Sequence, residues 1–228
     1  MTVIHMVRIP DKLDARRLAA LSERLSPAKR ARLLRFRQPA DAYRTLYADL
    51  LVRRSLLRTF GLRSDEIRFE DGPFGKPFVP DLPTFEFSLS HAGDWAVCAV
   101  DDQPIGVDIE RMDPIEFEIA RTFFSREEYD DLMRTASEDR LNRFYELWTI
   151  KESFIKMTGK GLQTPLDSFS VRKRGETFEL HQADGVLPCR VASYSVGHAY
   201  KLSACGLGGT LPPKPVALDR SELEHDFL

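Results

Sequence analysis

Cysteine is scarce. The 228-residue chain has three, at 98, 189 and 205, an odd number with no C-x-x-C spacing. Neither a disulfide framework nor a zinc knuckle is indicated, and buried free thiols are expected. The five histidines, at 5, 91, 181, 198 and 225, never fall at i,i+4. That removes the HExxH class of site and leaves carboxylates as the candidate holders of any metal. Long hydrophobic runs are missing too. The longest strictly apolar stretch, Trp95–Val100, falls far short of the ~20 residues a membrane helix needs. No signal-peptide apolar region develops before Arg8, Asp11 and Lys12, so the expected address is cytoplasmic and no membrane partner is expected. With 43% hydrophobic and 30% charged residues, the composition is that of a soluble globular protein able to bury a sizeable core, and it argues against disorder, collagen-like repeats and disulfide scaffolds.

Net charge is nearly absent, at −2, but this hides a polarity along the chain. Residues 1–60 hold fourteen Lys/Arg against five Asp/Glu, so the remainder must be strongly acidic. A basic half joined to an acidic half suggests an anionic ligand on the first and a cation or basic group on the second; two solvated charged faces fit equally well. A nucleic-acid partner does not fit, because the acidic half would repel the backbone and no aromatic platform accompanies the arginines.

Hydrophobic periodicity and punctuation give a mixed α+β order. Thr2–Ile9 reads as a strand and Asp11–Leu25 as a polar helix. Ser26-Pro27 then supplies an N-cap and an N1 proline to a basic helix carrying Lys29, Arg30, Arg32, Arg35 and Arg37, with Leu33, Leu34 and Phe36 available for the core. A long helix from Asp41 to Phe60 shows a one-sided apolar stripe and stops at Gly61. Asp71–Thr84, with four prolines and two glycines, reads as an irregular functional loop. Strands Phe85–Leu89, Trp95–Val100 and Ile105–Glu110 follow. Helical patterns then cover about Pro114–Phe124, Ser125–Thr135 and Glu138–Gly159, and four short strands run from Phe169 to Cys205. Residues after about 208 read as a loose tail.

A faint internal repeat lays Arg44–Gly61 over Asn142–Gly159 at an offset of 98, and Phe87–Ala92 later matches Tyr194–Ala199. The order helix then strand is kept in both. We therefore expect a pseudo-dimer of two similar α+β halves, residues 1–104 and 105–207, followed by a tail at 208–228. The active site is expected at their interface, where ligand sites are favoured.

Chemistry concentrates at that junction. In Gly106–Glu110 the strand alternation sends Asp108 and Glu110 to one face and Val107 and Ile109 to the other. Two such neighbouring carboxylates repel unless a cation or proton lies between them, although an exposed, solvated strand face would look the same. Further on, Trp148, Glu152 and Lys156 stand at i, i+4, i+8 on one helix face. Alone, Glu152 and Lys156 are an ordinary helix ion pair. Joined to Asp108 and Glu110, Glu152 makes a third oxygen donor, enough for a six-coordinate Mg²⁺ with room for phosphate and water. Thr158–Gly161 imitates a phosphate loop, but Phe154 replaces its first glycine and Gly161 its Ser/Thr. Ser90-His91 lacks the turn of a nucleophile elbow; His91 reads as a phosphate contact or as a structural histidine.

These residues resemble a family. Gly106–Glu110, followed about forty residues later by Trp148-x-x-Lys151-Glu152-Ser153-x-x-Lys156-x-x-Gly159-Lys160-Gly161-Leu162, is similar to the signature of Sfp-type 4′-phosphopantetheinyl transferases. The likeness extends upstream through Gly75-Lys76-Pro77, Phe87–His91 and, weakly, Ser26–Arg30 and Tyr43–Leu46. The resemblance implies a pseudo-dimeric α+β fold with coenzyme A as co-substrate in its cleft. It further implies transfer of the phosphopantetheine arm to a serine of an apo acyl or peptidyl carrier protein, with release of adenosine 3′,5′-bisphosphate. Asp108, Glu110 and Glu152 would hold Mg²⁺, with Mn²⁺ as a substitute, and Lys156 would neutralise the leaving phosphate. Lys29, Arg32, Arg44, Thr45, Lys76, Ser90 and His91 would position the nucleotide and its phosphates. Arg32 stands where close relatives carry lysine, which keeps the charge but changes donor geometry. Acidic carrier helices would dock near Phe117, Ile119, Phe123 and Phe124, residues that core packing explains equally well. A monomer is expected, since two fused halves already complete one cleft. The alternatives are a non-catalytic coenzyme A or nucleotide binder, which needs no Glu152, and a Mg²⁺-dependent phosphohydrolase, which attacks with water.

Overall fold

The computed structural model describes the backbone of all 228 residues and every side chain except that of Leu162. The first half opens with β1 (Val3–Arg8), then α1 (Ala15–Ser22) and α2 (Pro27–Leu33). Asp14 caps α1 through the Arg16 amide, and Ser26 caps α2 through the Lys29 amide, with Pro27 in the first turn. The basic helix is thus shorter than its charge pattern suggests. It stops at Leu33, which is buried, and leaves Leu34 80% exposed. Helix α3 (Pro39–Phe60) follows and ends at Gly61 with φ 71°. A small hairpin, β2 (Glu70–Asp71) with β3 (Pro77–Phe78), occupies part of the segment read as irregular. Two residues per strand are all that its prolines and glycines permit.

Strands β4 (Glu86–Ala92) and β5 (Trp95–Asp101) form a hairpin whose β5 pairs antiparallel with β1, and α3 packs across β4 and β5. The second half repeats this plan. After β6 (Ile105–Arg111) come α4 (Ala120–Phe123), α5 (Arg126–Arg134) and α6 (Ser137–Thr158), the last ending at Gly159 with φ 67°. The small sheet β7 (Ser170–Arg174), β8 (Thr177–Gln182), β9 (Gly185–Val186) follows. The hairpin β10 (Arg190–Val196) and β11 (Tyr200–Gly206) then pairs with β6, and α6 packs across β6 and β11. Helices α3 and α6 are 22 residues each and start and stop at the same offset of 98. Both cross two paired strands of their own half's sheet, and both end on a left-handed glycine, the conformation only glycine adopts without penalty.

The halves meet where β4 faces β6. There the Val107 amide donates to Ser88 Oγ at 3.1 Å and the Ile109 amide to Ser90 Oγ at 3.2 Å, so serine hydroxyls take backbone donors at the seam. Helix α6 is drawn close to β6 at Gly106. A Cβ there would lie 1.9 Å from the Ser153 carbonyl oxygen and 2.4 Å from the Met157 nitrogen.

The C-terminal residues are not a loose tail. Strand β12 (Val216–Ala217) pairs parallel with β1, and α7 (Arg220–His225) docks on α3. Leu223 and Phe227 are buried in the first half's core. Glu224 accepts hydrogen bonds from Tyr47 and Arg17, while Asp226 pairs with Arg54 at 2.8 Å and Arg58 at 2.7 Å. The acidic stretch that suggested a solvated end is a set of partners for the basic half.

Candidate active site

A cleft of about 580 Å³ opens where β4, β6, α2, α3 and α6 converge. The first half contributes Lys29, Arg32, Thr45, Ser90 and His91 to its lining; the second contributes Asp108, Glu110, Trp148, Glu152 and Lys156. Alternation along β6 buries Val107 and Ile109 and leaves Asp108 and Glu110 on the cleft side. One turn separates Glu152 from Lys156 on α6, and Trp148 stands a turn earlier, edge-on to Phe123 with ring centroids 5.4 Å apart.

Asp108 is the centre of the arrangement. Its Oδ1 accepts from Lys156 Nζ at 2.7 Å and from the Ser90 hydroxyl at 2.9 Å, and Lys156 also donates to Ser90 Oγ at 3.1 Å. Its Oδ2 is buried with no hydrogen-bond partner among the described residues. Burial, then the neighbouring Asp108 and Glu152 charges, raise the Glu110 carboxyl to about 7. Burial and then Asp108 raise Glu152 as well. His91 is held below the ordinary histidine range, first by lost solvation and then by Arg44 and Lys156. One orphaned carboxylate oxygen and two carboxyls that resist ionisation together make an oxygen-rich pocket short of positive charge. The donor set suits a hard divalent cation. Among the described residues no three His, Cys, Asp or Glu side chains already converge into a finished cation site, and Lys156 occupies one oxygen of Asp108.

Two residues expected to position phosphates point elsewhere. Lys76 Nζ donates to Glu86 at 3.1 Å, to the Ile105 carbonyl at 3.2 Å and to the Met157 carbonyl at 3.3 Å. Its stem packs against Gly159, so it fastens the two halves while the flanking Gly75 and Pro77 line the cleft. Arg44 donates to the Gly93 carbonyl at 2.7 Å and pairs with Asp41. Lys151, within the signature, is fully buried on the opposite side of α6. Its ammonium bonds Glu128 at 2.9 Å and the Leu166 and Phe169 carbonyls at 2.8 and 2.6 Å. Asp49 was not anticipated. It lines the cleft from α3 and pairs with both Lys29 and Arg53. The available signal was an acidic residue set between Ala48 and Leu50 in the apolar stripe of a helix. A larger depression, about 910 Å³, lies beyond Arg53 between α1 and the loop after α3. It mixes arginines with Glu23, Asp65 and Asp226 and contains none of the expected site residues.

The class defined by this fold and cleft agrees with comparison to known proteins. The 4′-phosphopantetheinyl transferase superfamily profile matches residues 104–205, and the profile of the N-terminal domain of 4′-phosphopantetheinyl transferase matches residues 14–103. The chain is 44% identical over 200 residues to 4′-phosphopantetheinyl transferase Sfp of Bacillus subtilis (strain 168), covering 87% of this chain and 89% of that one. It is 40% identical to psf-1 of Bacillus pumilus, covering 96% and 92%, and 35% identical to gsp of Aneurinibacillus migulanus, covering 91% and 86%. The chain belongs to the 4′-phosphopantetheinyl transferases, and within them to the Sfp type.

Proposed function

We propose that this enzyme transfers the 4′-phosphopantetheine group of coenzyme A to a serine of an apo acyl or peptidyl carrier protein, with Mg²⁺, releasing adenosine 3′,5′-bisphosphate. The observation that carries the reading is the meeting, in one cleft, of cations from the basic half with three carboxylates from the acidic half. One of those carboxylates keeps a buried oxygen unpartnered among the described residues.

Asp108, Glu110 and Glu152 would hold Mg²⁺, which when bound polarises the pyrophosphate and offsets its charge. Lys29, Arg32, Thr45, Ser90 and His91 would bind the nucleotide and its phosphates from the opposite wall. Arg44 and Lys76 would reach the co-substrate only by leaving their present partners. Phosphoryl transfer demands in-line placement and charge neutralisation more than covalent help from the protein. The serine oxygen forms a bond to the phosphorus bearing the pantetheine arm as the bond to the adenosine-side phosphate breaks. The serine proton passes to Glu152, directly or through a bound water, as to a general base. Lys156 supplies positive charge to the departing phosphate. A single chain supplies both walls, so a monomer would suffice.

The test is to incubate the protein with coenzyme A, Mg²⁺ and an apo carrier protein and weigh the carrier. A carrier heavier by one phosphopantetheine, with adenosine 3′,5′-bisphosphate formed in equal amount, is expected. An unmodified carrier, with coenzyme A either intact or hydrolysed, would overturn the proposal.

A further inference from the structure

The cleft cation Lys29 is held from behind by a small buried network that the transfer chemistry does not use. Asp49, 4% exposed, receives Arg53 Nε on one carboxylate oxygen and Lys29 Nζ on the other. Arg53, 2% exposed, is fixed a second time by donating to the Ser64 carbonyl at 2.9 Å. The ring centroid of Phe69 lies 4.3 Å from the Lys29 ammonium and 5.1 Å from the Arg53 guanidinium carbon. Lys29 alone of these charged groups is substantially exposed, with 38% of its side chain accessible.

One carboxylate serves two cations, so the group keeps a net positive charge. Because Arg53 is sealed inside, the surplus charge faces the cleft on Lys29. Asp49 therefore orients the lysine without cancelling it, unlike an ordinary surface pair whose charges offset each other. A free lysine side chain has extensive rotamer freedom, and losing it during binding weakens affinity; a lysine already parked between a carboxylate and an aromatic face avoids most of that loss.

We propose that Asp49, with Phe69, is a positioning residue that pre-sets the Lys29 ammonium for an anionic group of the co-substrate, an inference that rests on the coenzyme A reading above. Its effect falls on binding, not on the reacting atoms.

The experiment is a double-mutant cycle read by calorimetric titration of coenzyme A into the intact protein, with turnover measured alongside. Asp49→Asn is expected to weaken coenzyme A binding on the order of tenfold, raising KM for coenzyme A and leaving kcat within about twofold. In a Lys29→Met background the same change should have little further effect. Phe69→Leu, which leaves the Asp49–Arg53 pair intact, should weaken binding by roughly two- to fivefold and show the same dependence on Lys29; it decides the matter if Asp49→Asn does not fold. Equal losses in both backgrounds, unchanged affinity or tighter binding would overturn the positioning role while leaving the transferase reading in place. If the unsubstituted protein fails to bind coenzyme A at all, the co-substrate assignment and this role fall together.

Discussion

Gly106→Ala tests the contact on which the cleft's geometry depends. Glycine at 106 allows α6 to approach β6 until a side-chain carbon would stand 1.9 Å from the Ser153 carbonyl oxygen and 2.4 Å from the Met157 nitrogen. Both obstacles are backbone, so no rotamer change relieves them. An ordinary carbon–oxygen contact needs ~3.3 Å, so helix and strand must separate locally by about 1.4 Å. Overpacking of this kind costs about 1–3 kcal/mol, and rigid obstacles place this site at the upper end. For a chain of this size that corresponds to a melting temperature lower by about 6–12 °C. The separation also moves Glu152 and Lys156 away from Asp108 and Glu110, and a misplacement of about 1 Å at reacting groups can cost on the order of a hundredfold in rate. Thermal unfolding and carrier modification at saturating coenzyme A and Mg²⁺ measure the two effects. Gly209→Ala, where an added Cβ meets nothing within 4 Å among the described residues, is the matched control and should be silent in both. A Gly106→Ala protein that melts within 2 °C of the parent, roughly the effect of 1 kcal/mol or less, and keeps its kcat would refute the close approach as the device that assembles the cleft.

Three further outcomes follow from the same contacts. Glu152→Gln should lower kcat by roughly 10²–10³-fold, the scale of removing one preorganised electrostatic group; near-full turnover at saturating Mg²⁺ would exclude it as the base. Phe227→Ala, which removes a ring buried in the first half's core, should destabilise by about 3–5 kcal/mol, whereas an unchanged denaturation midpoint would mean the C-terminus is not docked in solution. Burial and then Arg54 hold His5 below its ordinary range. The unfolded chain therefore binds the proton more readily, and the stability present above about pH 6.5 is lost as pH falls through the folded value. His5→Asn should flatten the acid side of the stability profile, and parallel profiles between pH 7.5 and 5 would contradict this.

Much of the architecture was legible because it is written in local pattern. The apolar stripe ending at Gly61 and its echo ending at Gly159 mark α3 and α6, since a helix stop at left-handed glycine is set by backbone sterics alone. The alternation in Gly106–Glu110 and the spacing of Trp148, Glu152 and Lys156 likewise fix which side chains share a face before any tertiary contact is known. What such patterns leave open is where a long, charged side chain will find its partner. Lys76 and Lys151 both sit within signature motifs. Yet the first bonds two carbonyls across the seam, and the second is drawn into the core by Glu128 and two carbonyls supplied 15 and 18 residues away.

The C-terminal segment shows the same limit from the other direction. Prolines at 212, 213 and 215 followed by Glu222, Glu224 and Asp226 have the composition of a solvated end, and nothing local distinguishes them from one. Their structure depends on partners about 170 to 207 residues away: Tyr47, Arg54 and Arg58 on α3 and Arg17 on α1. Charge asymmetry between the halves, read as a hint about ligands, thus has a second physical cause. Part of the first half's positive charge is offset by acids contributed from the end of the chain, while Lys29 and Arg32 line the cleft. Removing Glu224 and Asp226 should therefore weaken the attachment of α7 to α3 while leaving the cleft's own carboxylates in place, which makes the acidic half two separable sets of charges with different work to do.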